Sequence, residues 1–179
     1  MARLNPADLV FVDETSTHTA LTRRRARAPR GQRAIGHVPR NHGANRTLLA
    51  VLTPAGIGPA MTVAGSVNTA AFAAYVQRVL APGLRPGQVV VLDTLSAHKG
   101  EAARLAVEAA GARLLFLPAY SPDFNPIELA FAKIKQQLRR AAQRTADGLL
   151  QATAQAIDAV SPADAHSFYA HCGFPLPGN

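Results

Sequence analysis

At 179 residues, 48% of them hydrophobic, the chain is long enough to bury a proper core, which excludes a disordered tail. No apolar run approaches membrane-spanning length, the start Met1-Ala2-Arg3-Leu4-Asn5-Pro6 does not read as a signal peptide, and the single cysteine, Cys172, excludes an internal disulfide, so a cytoplasmic protein is expected. The net charge is +8, and its distribution matters more than its total: residues 15–92 contain no Asp or Glu but ten arginines. A GC-rich genome would account for the choice of Arg over Lys, but not for the missing acids. Nucleic acid is therefore the preferred partner.

In chain order, residues 9–13 read as a short buried strand rich in β-branched and aromatic residues. Residues 20–45 carry Arg, Pro and Gly punctuation and read as an extended excursion. Residues 46–53 form a second strand, 54–58 a turn and 59–67 a third strand, together an antiparallel meander. Asn68 or Thr69 caps a helix that runs through Leu80. Residues 88–93 are apolar up to Asp93 and read as a fourth strand covered on both faces. A helix over 99–110, a fifth strand over 113–117, a long helix from Asn125 to about 144, a helix over 145–160 and a short one after Ser161-Pro162 complete the chain. The order β-β-β-α-β-α-β-α-α predicts a mixed five-stranded sheet with helices on its faces, all within one domain spanning 1–179.

Three carboxylates stand out. Asp13 and Asp93 each end an apolar run, Glu128 lies just inside the long helix, and 34 residues separate Asp93 from Glu128. Phosphodiesters resist hydrolysis because they repel anionic nucleophiles. Two divalent cations overcome this, one activating the attacking oxygen and one stabilising the leaving oxygen. Mg²⁺ keeps several waters, so a few carboxylates suffice to hold it. Each acid also has a plain structural reading. Asp13 could cap a turn, with Glu14 the ligand instead; alternation puts the two on opposite strand faces and does not choose between them. Asp93 could simply start a turn. Glu128 falls at N3 of a helix whose N-cap is Asn125 and whose N1 is Pro126, so it could be a capping-box partner. In the same helix, Ile127, Phe131, Ile134 and Leu138 make an apolar stripe, while Glu128, Ala132, Lys135 and Arg139 share the neighbouring flank.

The segments Phe11-Val12-Asp13-Glu14, Val90-Val91-Leu92-Asp93-Thr94-Leu95-Ser96-Ala97-His98-Lys99 and Leu117-Pro118-Ala119-Tyr120-Ser121-Pro122-Asp123-Phe124-Asn125-Pro126-Ile127-Glu128 resemble the three catalytic blocks of DDE transposases. Among these they are most similar to the bacterial insertion-sequence branch numbered six-thirty, within the mariner-like superfamily. The resemblance extends over residues 9–174. It implies a ribonuclease-H-like α/β fold with helices on both faces of the sheet, and divalent-metal-dependent DNA cleavage and strand transfer. It implies Asp13, Asp93 and Glu128 as catalytic ligands of two Mg²⁺ ions, with Mn²⁺ as substitute. It implies double-stranded DNA, both transposon ends and target, as substrate in the bacterial nucleoid. The segment after the first strand, with Arg23, Arg24, Arg25, Arg27, Arg30 and Arg33, would lie along DNA phosphates, joined by Lys135 and Arg139 from the long helix. Paired-end chemistry suggests a homodimer.

Two departures from the family pattern stand out. Thr94 replaces the usual Asn after the second aspartate, which should change the surroundings of the metals without abolishing their binding. The helix-turn-helix modules of complete members have no room before Leu9. An N-terminal DNA-binding half from another reading frame is therefore expected. The rival readings are a domesticated or decayed domain that holds DNA without cutting it, and a nuclease for RNA or RNA–DNA hybrid, since fold alone does not decide function. His37 with His42, and His166 with His171 and Cys172, lack zinc-site spacing and are read as structural. His98 could approach the metals or start a helix. No phosphate-binding loop and no nucleophile elbow is present.

Overall fold

The structure, a computed structural model, describes residues 4–94 and 100–176. Ser96, His98 and Lys99 fall outside the described residues, and so do the expectations attached to them. Six strands form one mixed sheet: β1 (Leu9–Thr17), β2 (Arg46–Thr53), β3 (Gly56–Ile57), β4 (Met61–Ala64), β5 (Val89–Leu92) and β6 (Arg113–Phe116). The order is β3-β2-β1-β5-β6, and β4 follows β3 along the outer edge of β2. β1 runs antiparallel to β2 and parallel to β5, which is itself parallel to β6. The helices are α1 (Thr69–Tyr75), α2 (Glu101–Ala109), α3 (Pro126–Ala141), α4 (Ala146–Asp158) and α5 (Pro162–His171). Among the described residues, no helix is long and apolar enough to cross a membrane.

The sheet has six strands rather than the expected five. Gly56 takes φ +114, which a side chain rarely adopts, so the chain turns within Pro54-Ala55 and the next two residues pair back onto Leu52 and Thr53. A Cβ at Gly56 would also lie 2.8 Å from the Val160 carbonyl oxygen, so the close approach of the α4–α5 connection requires glycine there. The third expected strand shrinks to Met61–Ala64. The first grows past Asp13 to Thr17, because Glu14, Thr15, Ser16 and Thr17 continue the ladder opposite Leu49, Leu48, Thr47 and Arg46. α1 is capped by the Asn68 side chain, which accepts from the Ala71 N–H, and continues as a π-type turn over Val76–Leu80.

Alternation along the strands divides the core in two. Leu9, Phe11, Ala50, Leu52, Val89 and Val91 face α3, α4 and α5, whereas Val10, Val12, Leu49, Val51, Val90 and Leu92 face α1 and α2. A parallel strand covered on both sides cannot show polar alternation, and β5, Val89–Leu92, is buried at every position. On the first face Ile127, Ala130, Phe131, Ile134 and Leu138 of α3 are all nearly inaccessible. The Tyr169 hydroxyl of α5 donates to the carbonyls of Leu9 (2.8 Å) and Leu52 (3.1 Å), pinning that helix across two central strands. Lys133 of α3 donates to Asp164, which also closes the capping box of α5. These contacts fix α3 relative to β1.

Candidate active site and arginine groove

Asp13 lies in mid-strand. Its partner across β2 is Ala50, part of the α3-facing core, so the Asp13 side chain projects onto the face that α3 covers. Glu14 belongs to the opposite face. The parallel register pairs Phe11 with Val91; continued two places, it brings position 93, directly after β5, beside position 13. Glu128 sits in the first turn of α3, over the same region. The three acids line one cleft of about 370 Å³ together with Thr94, Leu117, Pro118, Ala119, Tyr120, Ser121, Pro122 and Asn125. Its described lining contains no Lys, Arg or His, although the chain carries a net charge of +8.

Asp13 is the buried member, 5% exposed, whereas Glu128 is exposed. Burial pushes the Asp13 carboxyl up to about 7, the carboxylates of Glu128, Asp93 and Glu14 push in the same direction, and the Glu14 N–H, donating to Oδ1 at 2.7 Å, pulls it down. Its other oxygen accepts from Nδ2 of Asn125 at 2.8 Å. This bond corrects the capping-box reading of Glu128. Asn125 is the N-cap residue of α3, but its side chain makes no capping hydrogen bond; the amide is turned to Asp13 instead. The Asn125 N–H donates to the Pro122 carbonyl at 2.9 Å, so the backbone donor that a capping-box Glu128 would take is already engaged. The hydrogen bond spans 112 positions, and no local pattern announces it.

Among the described residues, no three His, Cys, Asp or Glu side chains stand close enough to form a finished metal-binding group. The donor set still suits a hard cation: all three donors are carboxylates, the most buried of them is raised toward neutrality by its burial and by the neighbouring carboxylates, and Thr94 and Ser121 add neutral oxygens to the same wall. The residues present therefore fit Mg²⁺ or Mn²⁺.

The predicted DNA-contacting residues divide. Arg23, Arg24 and Arg25 line a groove with Gln136, Arg139 and Arg140 of α3. Lys135 lies on the same side, near enough to His18 to lower that imidazole's proton affinity, behind burial and the charges of His42 and Arg139. Arg27, Arg30 and Arg33 are exposed and lie outside the lining of this groove. The excursion between β1 and β2 contains neither helix nor strand over residues 20–45, as expected. Its base is tied down: Arg144 donates to the carbonyls of Thr19 (2.7 Å) and Leu21 (3.1 Å), the Thr19 hydroxyl donates to the His42 carbonyl (3.1 Å), and the rings of His18 and His42 pack 5.1 Å apart. Arg140 and Arg144 are additions that the sequence reading lacks. Arg140 directly follows Arg139, a signal present in the sequence, whereas nothing local announces the reach of Arg144 back to the end of β1. His37 lines the outer part of this region and Cys172 is a buried free thiol.

A mixed sheet with this order, covered by helices on both faces and carrying acids at its centre, is a ribonuclease-H-like fold. Residues 8–149 match the DDE superfamily endonuclease family, and the chain belongs to it. Among solved structures it is similar to a pre-cleavage Mos1 transpososome, with a TM-score of 0.74 at 18% identity over 93% of this chain and 54% of the other. It is also similar to the Mos1 strand transfer complex, with a TM-score of 0.71 at 21% identity over 93% of this chain and 51% of the other. A third similar structure, the Mos1 transposase catalytic domain with raltegravir and Mg, has a TM-score of 0.68 at 16% identity and is covered over 81% of its length by 93% of this chain. At these identities the likeness is one of fold, and the chain spans about half the length of the Mos1 chains in the two assemblies. No curated protein sequence matches.

Proposed function

We propose that this chain is the catalytic domain of a transposase, spanning 1–179, that cleaves DNA and joins the freed 3′ end to a target. The observation that carries this reading is the shared cleft of Asp13, Asp93 and Glu128, three oxygen donors from three separate elements with no cation in the described lining. Mos1 structures that contain Mg and Mn support a divalent ion in this reading, with Asp13, Asp93 and Glu128 as its ligands. Two such ions, when bound, would activate the attacking oxygen and stabilise the leaving one.

The chain's own residues account for the rest. Asn125 and the Glu14 N–H hold both oxygens of Asp13 in one orientation. Glu128 and Arg139 lie on one flank of α3, eleven positions apart, or ~16 Å at 1.5 Å per residue. That distance is about five base-pair steps of B-form duplex at 3.4 Å each. DNA entering the cleft along this flank reaches Lys135, Arg139 and the Arg23–Arg25 groove, while Arg27, Arg30 and Arg33 extend the basic path outward. The substrates are transposon ends and target DNA, met in the bacterial nucleoid, and the chain is of the six-thirty insertion-sequence branch. Selection of the ends falls to a DNA-binding half supplied from another reading frame, and pairing of two ends calls for a homodimer.

Purified protein, with and without such a partner half, should nick supercoiled DNA in Mg²⁺ or Mn²⁺. Asp93→Asn should reduce nicking by about three orders of magnitude, the scale of several kcal/mol of lost charge stabilisation, and leave DNA affinity within about two-fold. Binding without nicking under every condition would identify a DNA-holding module instead. Preference for RNA–DNA hybrid over duplex DNA would identify a different nuclease.

A further inference from the structure

Tyr120 is the most conspicuous residue on the rim of the acid cleft. It is 102% exposed, the extreme among the large hydrophobic side chains, and its backbone has φ +57. Two non-glycine residues with positive φ occur among the described residues, Tyr120 and Ala142. Ala142 is the C-cap of α3, and its N–H bonds the Leu138 carbonyl, so helix termination explains it. Tyr120 terminates no helix. A left-handed position in an exposed loop is met most cheaply by Gly or Asn, and a bulky side chain there is a strained outlier of the kind that gathers at ligand sites.

An aromatic ring ordinarily buries most of its area or anchors its hydroxyl. Among the described residues, Tyr120 does neither. Proline at 118 and at 122 restricts the backbone on either side, so the loop holds the ring out by its own stiffness. Tyr120 nevertheless lines the same cleft as Asp13, Asp93 and Glu128. A flat apolar face beside a site built for a phosphodiester matches one ligand feature, the π-face of a base unstacked from its neighbours.

We propose that Tyr120 is a stacking platform for an unpaired nucleobase of the DNA strand that enters the acid cleft. The proposal rests on the reading of that cleft as a DNA site. It assigns Tyr120 a binding and positioning role: the ring holds the strand at a point where the duplex has opened, and the phosphate next to that base faces the carboxylates. Stacking tolerates any base, so the contact confers preference for unpaired over paired DNA without sequence preference.

The test uses the full chain and a single-stranded oligonucleotide carrying 2-aminopurine, in Ca²⁺ to suppress cleavage, with a blunt duplex of the same sequence as reference. Wild-type protein should quench the fluorescence. Tyr120→Ala and Tyr120→Gly should each weaken single-strand binding about ten-fold and abolish the quench, Tyr120→Phe should retain both, and duplex affinity should change less than about two-fold. Equal loss in Tyr120→Phe and Tyr120→Ala would overturn the proposal in favour of the hydroxyl. Loss in Tyr120→Ala with recovery in Tyr120→Gly would overturn it in favour of backbone conformation, and no loss in any variant would overturn it outright. Nicking of supercoiled DNA, measured in parallel, separates the two readings. Nicking by wild type with unaltered binding in Tyr120→Ala removes the platform alone, whereas a Tyr120-dependent quench in a protein that never nicks removes the nuclease and keeps the platform.

Discussion

The acid cleft and the arginine groove use opposite means to hold charge. The cleft draws single residues from β1, from the end of β5 and from the first turn of α3, elements locked by a shared core and by the Asn125–Asp13 hydrogen bond. The groove draws a run of cations from an extended segment without regular structure and sets them against one helix. Metal ligation fails if a donor moves by an ångström, so it needs rigid supports. Attraction of phosphate by guanidinium acts over the Debye length of about 8–10 Å and tolerates displacement. Each acid should therefore be individually indispensable, and each arginine incremental.

The largest test of that contrast is pH. The Asp13 carboxyl takes up its proton near 7 in the folded protein but near 3.8 when unfolded, so between those values the native state binds more protons. Stability contributed by this group is greatest below about 4 and falls as pH rises through 7. At about 1.4 kcal/mol per pH unit, the ceiling is about 4 kcal/mol. His18, held below its ordinary value mainly by burial, acts with the opposite sign, losing stability as pH falls. Wild type is therefore set against Asp13→Asn, which keeps His18: melting temperatures measured without metal should lie closer together at pH 5 than at pH 8, with the variant the more stable at both and the gap widening as pH rises. Mg²⁺ should raise the wild-type melting temperature more at pH 8 than at pH 5. A difference independent of pH would show that Asp13 is ionised throughout.

Next in size is Asn125→Ala. Removing a group that orients a ligand ordinarily costs about 10- to 100-fold in metal affinity or activity. Mg²⁺ titration of nicking should show that loss with DNA affinity unchanged, whereas an unchanged metal requirement would reduce the Asn125–Asp13 bond to a packing detail. The smallest effect per residue belongs to the groove. The combined change of Arg23, Arg24 and Arg25 to Ala should lower the log–log salt dependence of DNA binding by about 0.9 for each phosphate no longer neutralised, and leave Mg²⁺ affinity unaltered. A step-like loss on changing one of the three would break the contrast, since it would mean that one arginine is placed as exactingly as the acids.

Much of the fold was legible because burial imposes pattern. The apolar run of β5, the Ile127-Phe131-Ile134-Leu138 stripe of α3 and the Asn68 cap of α1 each follow from local periodicity or local hydrogen bonding. β3 was missed because two residues are too few to carry a pattern, and the end of β1 because Glu14 to Thr17 are polar and gain their strand geometry only from β2. The excursion over 20–45 was readable from its Arg, Pro and Gly, but not the groove it forms with Arg139 and Arg140, which depends on where α3 passes.

By itself the sequence singled out the candidate residues: two acids at the ends of apolar runs, a third at a helix start, and a field of arginines without acids. It left Asp13 and Glu14 equivalent, because alternation sets neighbours on opposite faces without saying which face is occupied. The tertiary structure decided between them: α3 packs on the Leu9 and Phe11 side, so Asp13 meets Asn125 and shares a cleft with Glu128 while Glu14 points to the other face. Facing is a relation between elements more than a hundred residues apart, and it exists only once the two layers have packed.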